Sequence, residues 1–592
     1  MRQNFPMFTH WRSIDSLTFL LLALLAALLP FELIVPRVEG AGLRWTNLEL
    51  LFLLLFIMSI ATACRRGDCR TSWRDDKRFR GTVGLILLWL GAALLSAWGA
   101  GQLRNDALRA TARLATGPLL FLITDALVTT SRRQSALLWA LLVGAGLSAV
   151  LGLLETRPWP LLDPLWTLFK SSSSRVGGAL RVSGPFPYAT TAALYWELTA
   201  PVAALMALRT TAPLRRRLAW LIAALCSVAT LLTLARSGLV LLWLGALTVA
   251  GGAIVVGPRP AWLKPIARRG IALWLLGLAL ATTTLFAAND LYRARLSSEN
   301  DLAWYVAAYE APPTLTFEAT ALPIRVTIRA FNQGQVAWQP RGPQRIRLEG
   351  RWLNAAGDGA LALPPLRVPL AQVVEPQQSV AIDVSVDELP ADGRYRIVWG
   401  MAQSDQFHFY HRGSPEATSE VTVHGSSATT PPAVSGPAFL QAPQPLTVGR
   451  RALWGAAIDL WRGQPLLGIG ADNFRYRYGP RLGLSEWDER LTVNNLYLEL
   501  LADLGVVGLA LFLTLVSIIL LPLLRSLRAG RATDPLLSLA VALALLLYLA
   551  HGLVDVFIWQ NGAHWLFWLL LGVGGRMAHG MRSGSDPIAL LS

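Results

Sequence analysis

Thr492–Gly508 reads TVNNLYLELLADLGVVG. It opens a long apolar run, yet it keeps Asn494, Asn495, Glu499 and Asp503. Read as a helix, the stretch places Asn495, Glu499 and Asp503 at i, i+4 and i+8, while leucines and valines fill the other sides. One polar edge runs down the mouth of a hydrophobic helix. Such an edge either rests among lipid headgroups or faces a place where chemistry is done, and the rest of the chain has to decide.

The chain of 592 residues is 53% hydrophobic and contains many runs close to the roughly 20 residues that span a bilayer. Spanning helices are expected near 15–35, 46–63, 81–99, 107–129, 135–155, 188–208, 216–234, 236–256, 270–289, 496–522, 536–556 and 562–579. The first is long and lacks a small-residue cleavage pattern, so it reads as a retained helix rather than a signal peptide. A formal charge of +16 suggests nucleic acid until its distribution is considered. With the N-terminus inside, the excess sorts onto inner loops: Arg65 to Arg80, Arg132 and Arg133, Arg209 to Arg217, Arg259 to Arg269, and Arg525 to Arg531. That is the positive-inside bias of a membrane protein, and an even helix count returns Arg576 and Arg582 to the same side. No nucleic-acid partner is expected. Cys64, Cys69 and Cys226 form no disulfide framework, and two closely spaced cysteines without a nearby His supply too few zinc ligands. No metal or cofactor is expected.

The chain divides into five blocks. Residues 1–289 carry the N-terminal helices, and 492–592 the C-terminal helices with a cytoplasmic tail. Between them, 311–424 changes period. IRVTIRAF (324–331) alternates Ile324, Val326 and Ile328 against Arg325, Thr327 and Arg329. RIRLEGRW (345–352) sets Ile346, Leu348 and Trp352 against Arg345, Arg347 and Arg351. SVAIDVSV and RYRIVW repeat the pattern between NQG, NAAGDG and PADG turns, which together predict an inserted antiparallel β-sandwich outside the membrane. His408 and His411 fall in it as surface residues. A Ser/Thr/Pro-rich linker follows at 425–447. Residues 448–491 then hold an interfacial helix, with Trp454, Ile458 and Trp461 on one side, and an Arg/Tyr-rich loop. GIGADN in that loop follows no strand and lacks the Lys-Ser/Thr pair of a phosphate-binding loop.

NNLYLELLADLGVVGLALFL resembles the signature helix of the O-antigen ligase and O-antigen polymerase superfamily. LLGIGADNF from Leu466, SGPFPYATTAALYWELTAP from Ser183 and TLLTLARSGLVLLWLGAL from Thr230 agree with it. WQPRGPQRIRLEGRWL and PADGRYRIVWGM look like the immunoglobulin-like insert of some large-loop members. The resemblance implies a polytopic α-helical, GT-C-like enzyme of the inner membrane. Such an enzyme takes a glycan from undecaprenyl diphosphate and passes it to an acceptor hydroxyl without a metal: arginines hold the diphosphate, and a histidine assists the acceptor. At the position of that histidine this chain has Asn494.

The residues can be set against that chemistry. Guanidinium forks bind diphosphate bidentately and stay charged near lipid. Arg236, at a predicted outer turn where topology gives no reason for a cation, is the first candidate; the alternative is a helix-end arginine reaching for the interface. Arg175 and Arg181, in SSSSRVGGALRVSGPFP, are further diphosphate candidates. Arg475, Arg477 and Arg481 are candidates for acceptor or cavity contacts. All five can equally be solvated loop charges. Glu197, inside an apolar run, either faces a cavity or pairs with an arginine. Asn494 and Asn495 can orient a hydroxyl, but an amide takes no proton at neutral pH. The base is then a nearby acid such as Glu486, Asp488, Glu489 or Glu499, or little base is needed, or activity is lost. His551, His564 and Asp555 read as interface or packing residues. The leading expectation is a ligase or polymerase of surface glycan. Its rivals are a protein O-oligosaccharyltransferase and a non-catalytic component of polysaccharide assembly.

Overall fold

The computed structural model describes residues 7–34, 38–40, 43–66, 77–157, 159–256, 263–298, 301–342, 344–356, 359–404, 406–428, 433–434, 448–484 and 486–580. Cys69, Arg70, Arg74, Arg259, Arg582 and most of the 425–447 linker lie outside them. The chain is mostly helical and divides into two compact units. One comprises Met1–Ser174, Arg181–Thr282 and Gly449–Ser592, the other Arg175–Leu180 and Thr283–Val448.

A helix falls on each expected apolar stretch, with shifted ends: Met7–Leu28, Asn47–Arg66, Lys77–Trp98, Arg104–Leu127, Ser131–Leu154, Ala189–Arg209, Pro213–Leu232, Arg236–Val256, Leu263–Ala288, Leu496–Arg528, Pro535–His551 and Asn561–Gly580. Among the described residues six of these are long and apolar enough to cross a membrane, and three shorter segments are apolar as well. The chain is a multi-pass membrane protein. Twelve crossings are more than length and hydropathy alone support, because helices such as Pro213–Leu232 begin with a charged turn, here Arg215, Arg216 and Arg217.

Ala189–Arg209 is the central helix; its apolar window is wholly buried, packed by Pro213–Leu232, Arg236–Val256 and Pro535–His551. Small residues allow this, as they do between membrane helices generally. A Cβ on Gly245 would stand 2.6 Å from Pro201 Cγ, and one on Gly238 would stand 3.0 Å from the Ala193 Cβ. Helix ends are tied by ion pairs: Arg209 Nε donates to Asp534 Oδ2 at 2.6 Å and Arg133 Nη2 to Asp15 Oδ2 at 2.7 Å. The end of Ala189–Arg209 that carries Arg209 and the start of Pro535–His551 therefore share one face of the unit, with His551 at the far end of its helix.

The stretch that opened the sequence reading departs from one continuous helix. Leu496–Arg528 is interrupted at Gly505, whose φ of 67° and ψ of −173° are not helical. A side chain there would collide with Leu466, its Cβ only 2.2 Å from the carbonyl oxygen. The PLLGIG loop lies against the break: Val506 N donates to Pro465 O at 2.9 Å, and Ile469 N and Gly470 N donate to Ala502 O and Asp503 O at 3.0 Å each. Nor does Asn495 sit on the helix. It is the N-cap, with its Oδ1 accepting from Tyr497 N and Leu498 N. The predicted i, i+4, i+8 edge is thus a cap, a buried acid and a residue at a break.

The second unit holds two main sheets. One runs Ala433–Val434, Ala360–Leu361, Ile346–Asn354, Gly393–Gln403, Ala417–His424, Thr314–Glu318, with Leu366–Pro369 and Phe407–His408 attached as side strands. The other is Ser379–Val386, Ile324–Asn332, Ala307–Glu310. Alternation works as read: Val326, Ile328, Ile382 and Val384 are buried, in a register that pairs Ile328 with Ile382 and Val326 with Val384. The sheets are not purely antiparallel, since Thr314–Glu318 runs parallel to Ala417–His424. His408 is not a plain surface residue either: its Nδ1 lies 3.6 Å from buried Glu349, which also takes Arg347 at 2.6 Å and Arg367 at 3.2 Å.

Candidate functional site

Arg181 and Arg236 are brought to one turn. Glu155, just past the end of Ser131–Leu154, is buried and anchors the loop before Ala189–Arg209. Its Oε2 accepts from Ser183 N at 2.9 Å and Gly184 N at 2.8 Å, while its Oε1 takes Lys170, whose Nζ also donates to Ser183 Oγ at 2.8 Å. Three polar groups with no access to water are thereby satisfied together. The anchored loop is then joined to the Thr233–Ala235 turn. Val182 N donates to Leu232 O at 3.1 Å, and Arg181 Nε donates to Thr233 O at 2.9 Å. Leu234 takes a left-handed φ of 53° in that turn, and the half-buried Arg236 begins the next helix.

The Arg181 guanidinium has work left to do. Its Nη2 is buried with no hydrogen-bond partner among the described residues. Burial pulls its pKa down to about 10, against the pull of Asp555 and with the push of Arg450. It remains a cation at neutral pH, and a buried cation with an unused donor is well suited to an anionic oxygen.

Beside it runs a chain of three side chains from three helices. Glu197 Oε1 lies 2.6 Å from His551 Nδ1, and His551 Nε2 lies 2.9 Å from Ser237 Oγ. Glu197 and His551 are both 0% exposed; Ser237, next to Arg236, is half-buried. The second oxygen of Glu197 has no hydrogen-bond partner among the described residues. Phe557 sets its ring edge-on to His551, with centroids 5.0 Å apart. The acid in the apolar helix therefore pairs with an imidazole, not with an arginine. Such a carboxylate–imidazole–hydroxyl chain can move a proton.

The Asn494 mouth docks on the turn that follows His551. Leu496 N donates to Gly552 O at 2.7 Å, Asn495 Nδ2 donates to Leu553 O at 2.9 Å, and Tyr497 Oη donates to Leu549 O at 2.7 Å. Asn494 itself is held at a φ of 55°, a conformation asparagine tolerates better than most residues. Asn495 spends both ends of its amide on the cap and this docking. Glu499 is also fully engaged: Oε2 accepts from Val493 N at 2.8 Å and Oε1 from Trp559 Nε1 at 3.0 Å.

The other sequence candidates have local partners. Arg475 pairs with Asp472 at 2.7 Å, Arg477 donates to Ala100 O at 3.1 Å, and Arg481 pairs with Asp459 at 3.3 Å. Burial pushes the Asp472 carboxyl up to about 6, with Arg475 working against the shift. Arg490 holds Asp488 at 2.8 Å. Arg175 is exposed in a hairpin of the second unit, donating to Gly178 O at 3.0 Å. His564 is a packing residue, its Nε2 3.2 Å from Leu114 O. Among the described residues no cluster of His, Cys, Asp or Glu is placed to hold a metal ion.

Sequence reasoning placed His551 among packing residues and passed over Ser237 altogether. The signal was faint but present. A glutamate deep in an apolar helix demands a partner, and His551 lies in one of the few polar positions of the closing helices.

Residues 397–513 match the O-antigen ligase family model, from strand Gly393–Gln403 into the Leu496–Arg528 helix. Asn494, Asn495, Glu499 and Asp503 fall inside the match; Arg181, Glu197, Arg236, Ser237 and His551 fall outside it. No curated protein matches the chain. The matched family suggests a glycosyltransferase-like enzyme of surface-glycan ligation. Over that stretch, about a fifth of the chain, the sequence is similar to O-antigen ligases.

Proposed function

We propose that the chain transfers a glycan, as ligase or polymerase, from undecaprenyl diphosphate to an acceptor hydroxyl at the outer face of the inner membrane. The observation that carries this reading is the unused, buried Nη2 of Arg181, in a loop held against the turn that leads into the Arg236 helix. Diphosphate is an anion that fits two guanidinium groups, and in the transition state its charge grows, so donors already in place stabilise that state more than the ground state. The Asn494 mouth and the Ser237 hydroxyl face the acceptor side in this reading. Arg475, Arg477 and Arg481, each held by a local partner, stay candidates for acceptor contacts.

The helix ends support an outward-facing site in this reading. The cations Arg133 and Arg209 gather at the end of the unit opposite His551, so the positive-inside bias puts the His551 end outside. The sheet unit, whose sequence resembles an immunoglobulin-like insert, enters the chain after Leu263–Ala288 and belongs outside too. Cysteines introduced in 311–424 should react with an impermeant reagent in intact cells; reaction only after lysis would reverse the topology.

The function is tested with purified protein and a lipid-diphosphate-linked glycan. Arg181→Ala should lower transfer ~10²- to 10³-fold, by analogy with removal of an oxyanion donor, and should weaken binding of the lipid diphosphate. Unchanged transfer and binding would remove the diphosphate from this site.

A further inference from the structure

We propose that Ser237, His551 and Glu197 form the proton path of the transfer, with Ser237 as the group that touches the acceptor. This rests on the glycan-transfer reading above. At the helix mouth Asn494 offers only an amide, which cannot take a proton. Glu499, the nearest acid on the same helix, has both oxygens filled by Val493 N and Trp559 Nε1. The His551 imidazole lies at the other side of the same docking contact, one residue before the Gly552 carbonyl that receives Leu496 N.

The geometry gives each member a role. Glu197 accepts from the Nδ1–H of His551, which leaves Nε2 as the acceptor facing Ser237 Oγ at 2.9 Å; the hydrogen bond at one ring nitrogen sets the tautomer of the other. Ser237 is the one member of the three that is not fully buried. It sits in the first turn of its helix, where the positive end of the helix dipole favours developing negative charge. In the step, the acceptor O–H gives its proton to Ser237 Oγ as the serine proton passes to His551 Nε2. The acceptor oxygen bonds to the anomeric carbon while the bond from that carbon to the diphosphate oxygen breaks. The electron pair leaves with the diphosphate, held by Arg181 and Arg236. The proton gained by His551 forms an imidazolium beside the Glu197 carboxylate and returns through Ser237 to the departing diphosphate or to water. The charged groups that face His551 are Glu197, Asp555 and Arg450. Asp555 also acts electrostatically on Arg181, while its Oδ1 accepts from Val556 N at 2.8 Å.

The test uses the full chain in lipid nanodiscs with a lipid-diphosphate-linked glycan and a hydroxyl acceptor, measuring single-turnover transfer across pH. Ser237→Ala, His551→Gln and Glu197→Gln should each lower the rate ~10²- to 10⁴-fold. The Ser237→Ala/His551→Gln double variant should be no slower than either single one, because the residues act as a unit. Ser237→Thr, which keeps the hydroxyl, should recover much of the rate. Wild type should slow toward acid pH through one ionisation that His551→Gln abolishes and Asp555→Asn leaves in place. Binding of the lipid diphosphate should stay within about twofold in Ser237→Ala and His551→Gln, which also shows that these variants are folded. If Arg181→Ala abolishes transfer while Ser237→Ala and His551→Gln transfer normally, or if the ionisation vanishes with Asp555→Asn, the proton path is overturned and the transfer function stands. A wild-type protein that neither binds the donor nor transfers from it would overturn the function itself.

Discussion

Two places in the helical unit bury acids among apolar helices, and they treat them in opposite ways. Around Asp503 every carboxylate oxygen is used. Its Oδ2 accepts from Asp472 N at 2.7 Å and its Oδ1 from Phe474 N at 3.1 Å, which caps the Phe474–Arg481 helix, and Glu499 is similarly filled. Around His551 the accounts are left open. One oxygen of Glu197 and one guanidinium nitrogen of Arg181 are buried with no hydrogen-bond partner among the described residues. Buried polar groups cost free energy unless paired. Asp503 and Glu499 therefore build structure, with Asn473 Oδ1 and Arg475 Nε nearby left without a partner among the described residues, and the open atoms around His551 are the ones the proposed transfer would use.

Three changes would break or sharpen this contrast. The largest effect is expected at Asp503→Ala. It strands the amides of Asp472 and Phe474, at roughly 1–3 kcal/mol for each unsatisfied group, and removes a helix cap. The protein should melt well below wild type in detergent, or fail to accumulate, whereas Arg181→Ala should melt like wild type and lose transfer. Equal melting of the two variants would erase the distinction between the clusters.

Glu499→Gln comes next, since the amide can still accept from one donor but meets the other with an NH₂ group. A loss of about 1–3 kcal/mol of stability is expected, with transfer by the folded protein within a few fold of wild type. A severe loss of transfer with unchanged melting would instead make Glu499 the base, and would return the chemistry to the polar edge legible in TVNNLYLELLADLGVVG.

The smallest effect concerns Asp472. Burial raises its folded pKa to about 6, above the ordinary value near ~3.9. A raised acid pKa contributes stability that is fully present below the unfolded value and is lost as pH rises through the folded one. The loop should therefore lose at most about 3 kcal/mol between roughly pH 4 and pH 6, and Asp472→Asn should flatten that slope. Asparagine also suits the φ of 59° at this position. Melting temperatures measured over that window decide it; a slope unchanged in the variant assigns it to another group.

Much of the architecture was legible because it is local. Hydropathy over about 20 residues finds a helix without knowing its neighbours, and a period of two finds Ile324–Asn332 and Ser379–Val386 in the same way. The loop arginines were legible as cations but not as partners: Arg477 looked free for a ligand until Ala100 appeared beside it. The same limit hid the break at Gly505, because what forbids a side chain there is the Leu466 carbonyl, delivered by a loop that the helix pattern does not contain.

The sequence by itself therefore determined that this is a membrane protein of many apolar helices with an inserted sheet unit, and that Asn494, Asn495, Glu499 and Asp503 interrupt the apolar run after residue 492. Only the tertiary structure decided which polar residues belong together. Glu197, Ser237 and His551 lie on three helices and meet because Ala189–Arg209 is small-sided enough for both of the other helices to pack closely on it. Side-chain chemistry is written residue by residue, but whether a buried acid is filled by its own backbone or left open toward a histidine depends on distances between helices, which no local pattern encodes.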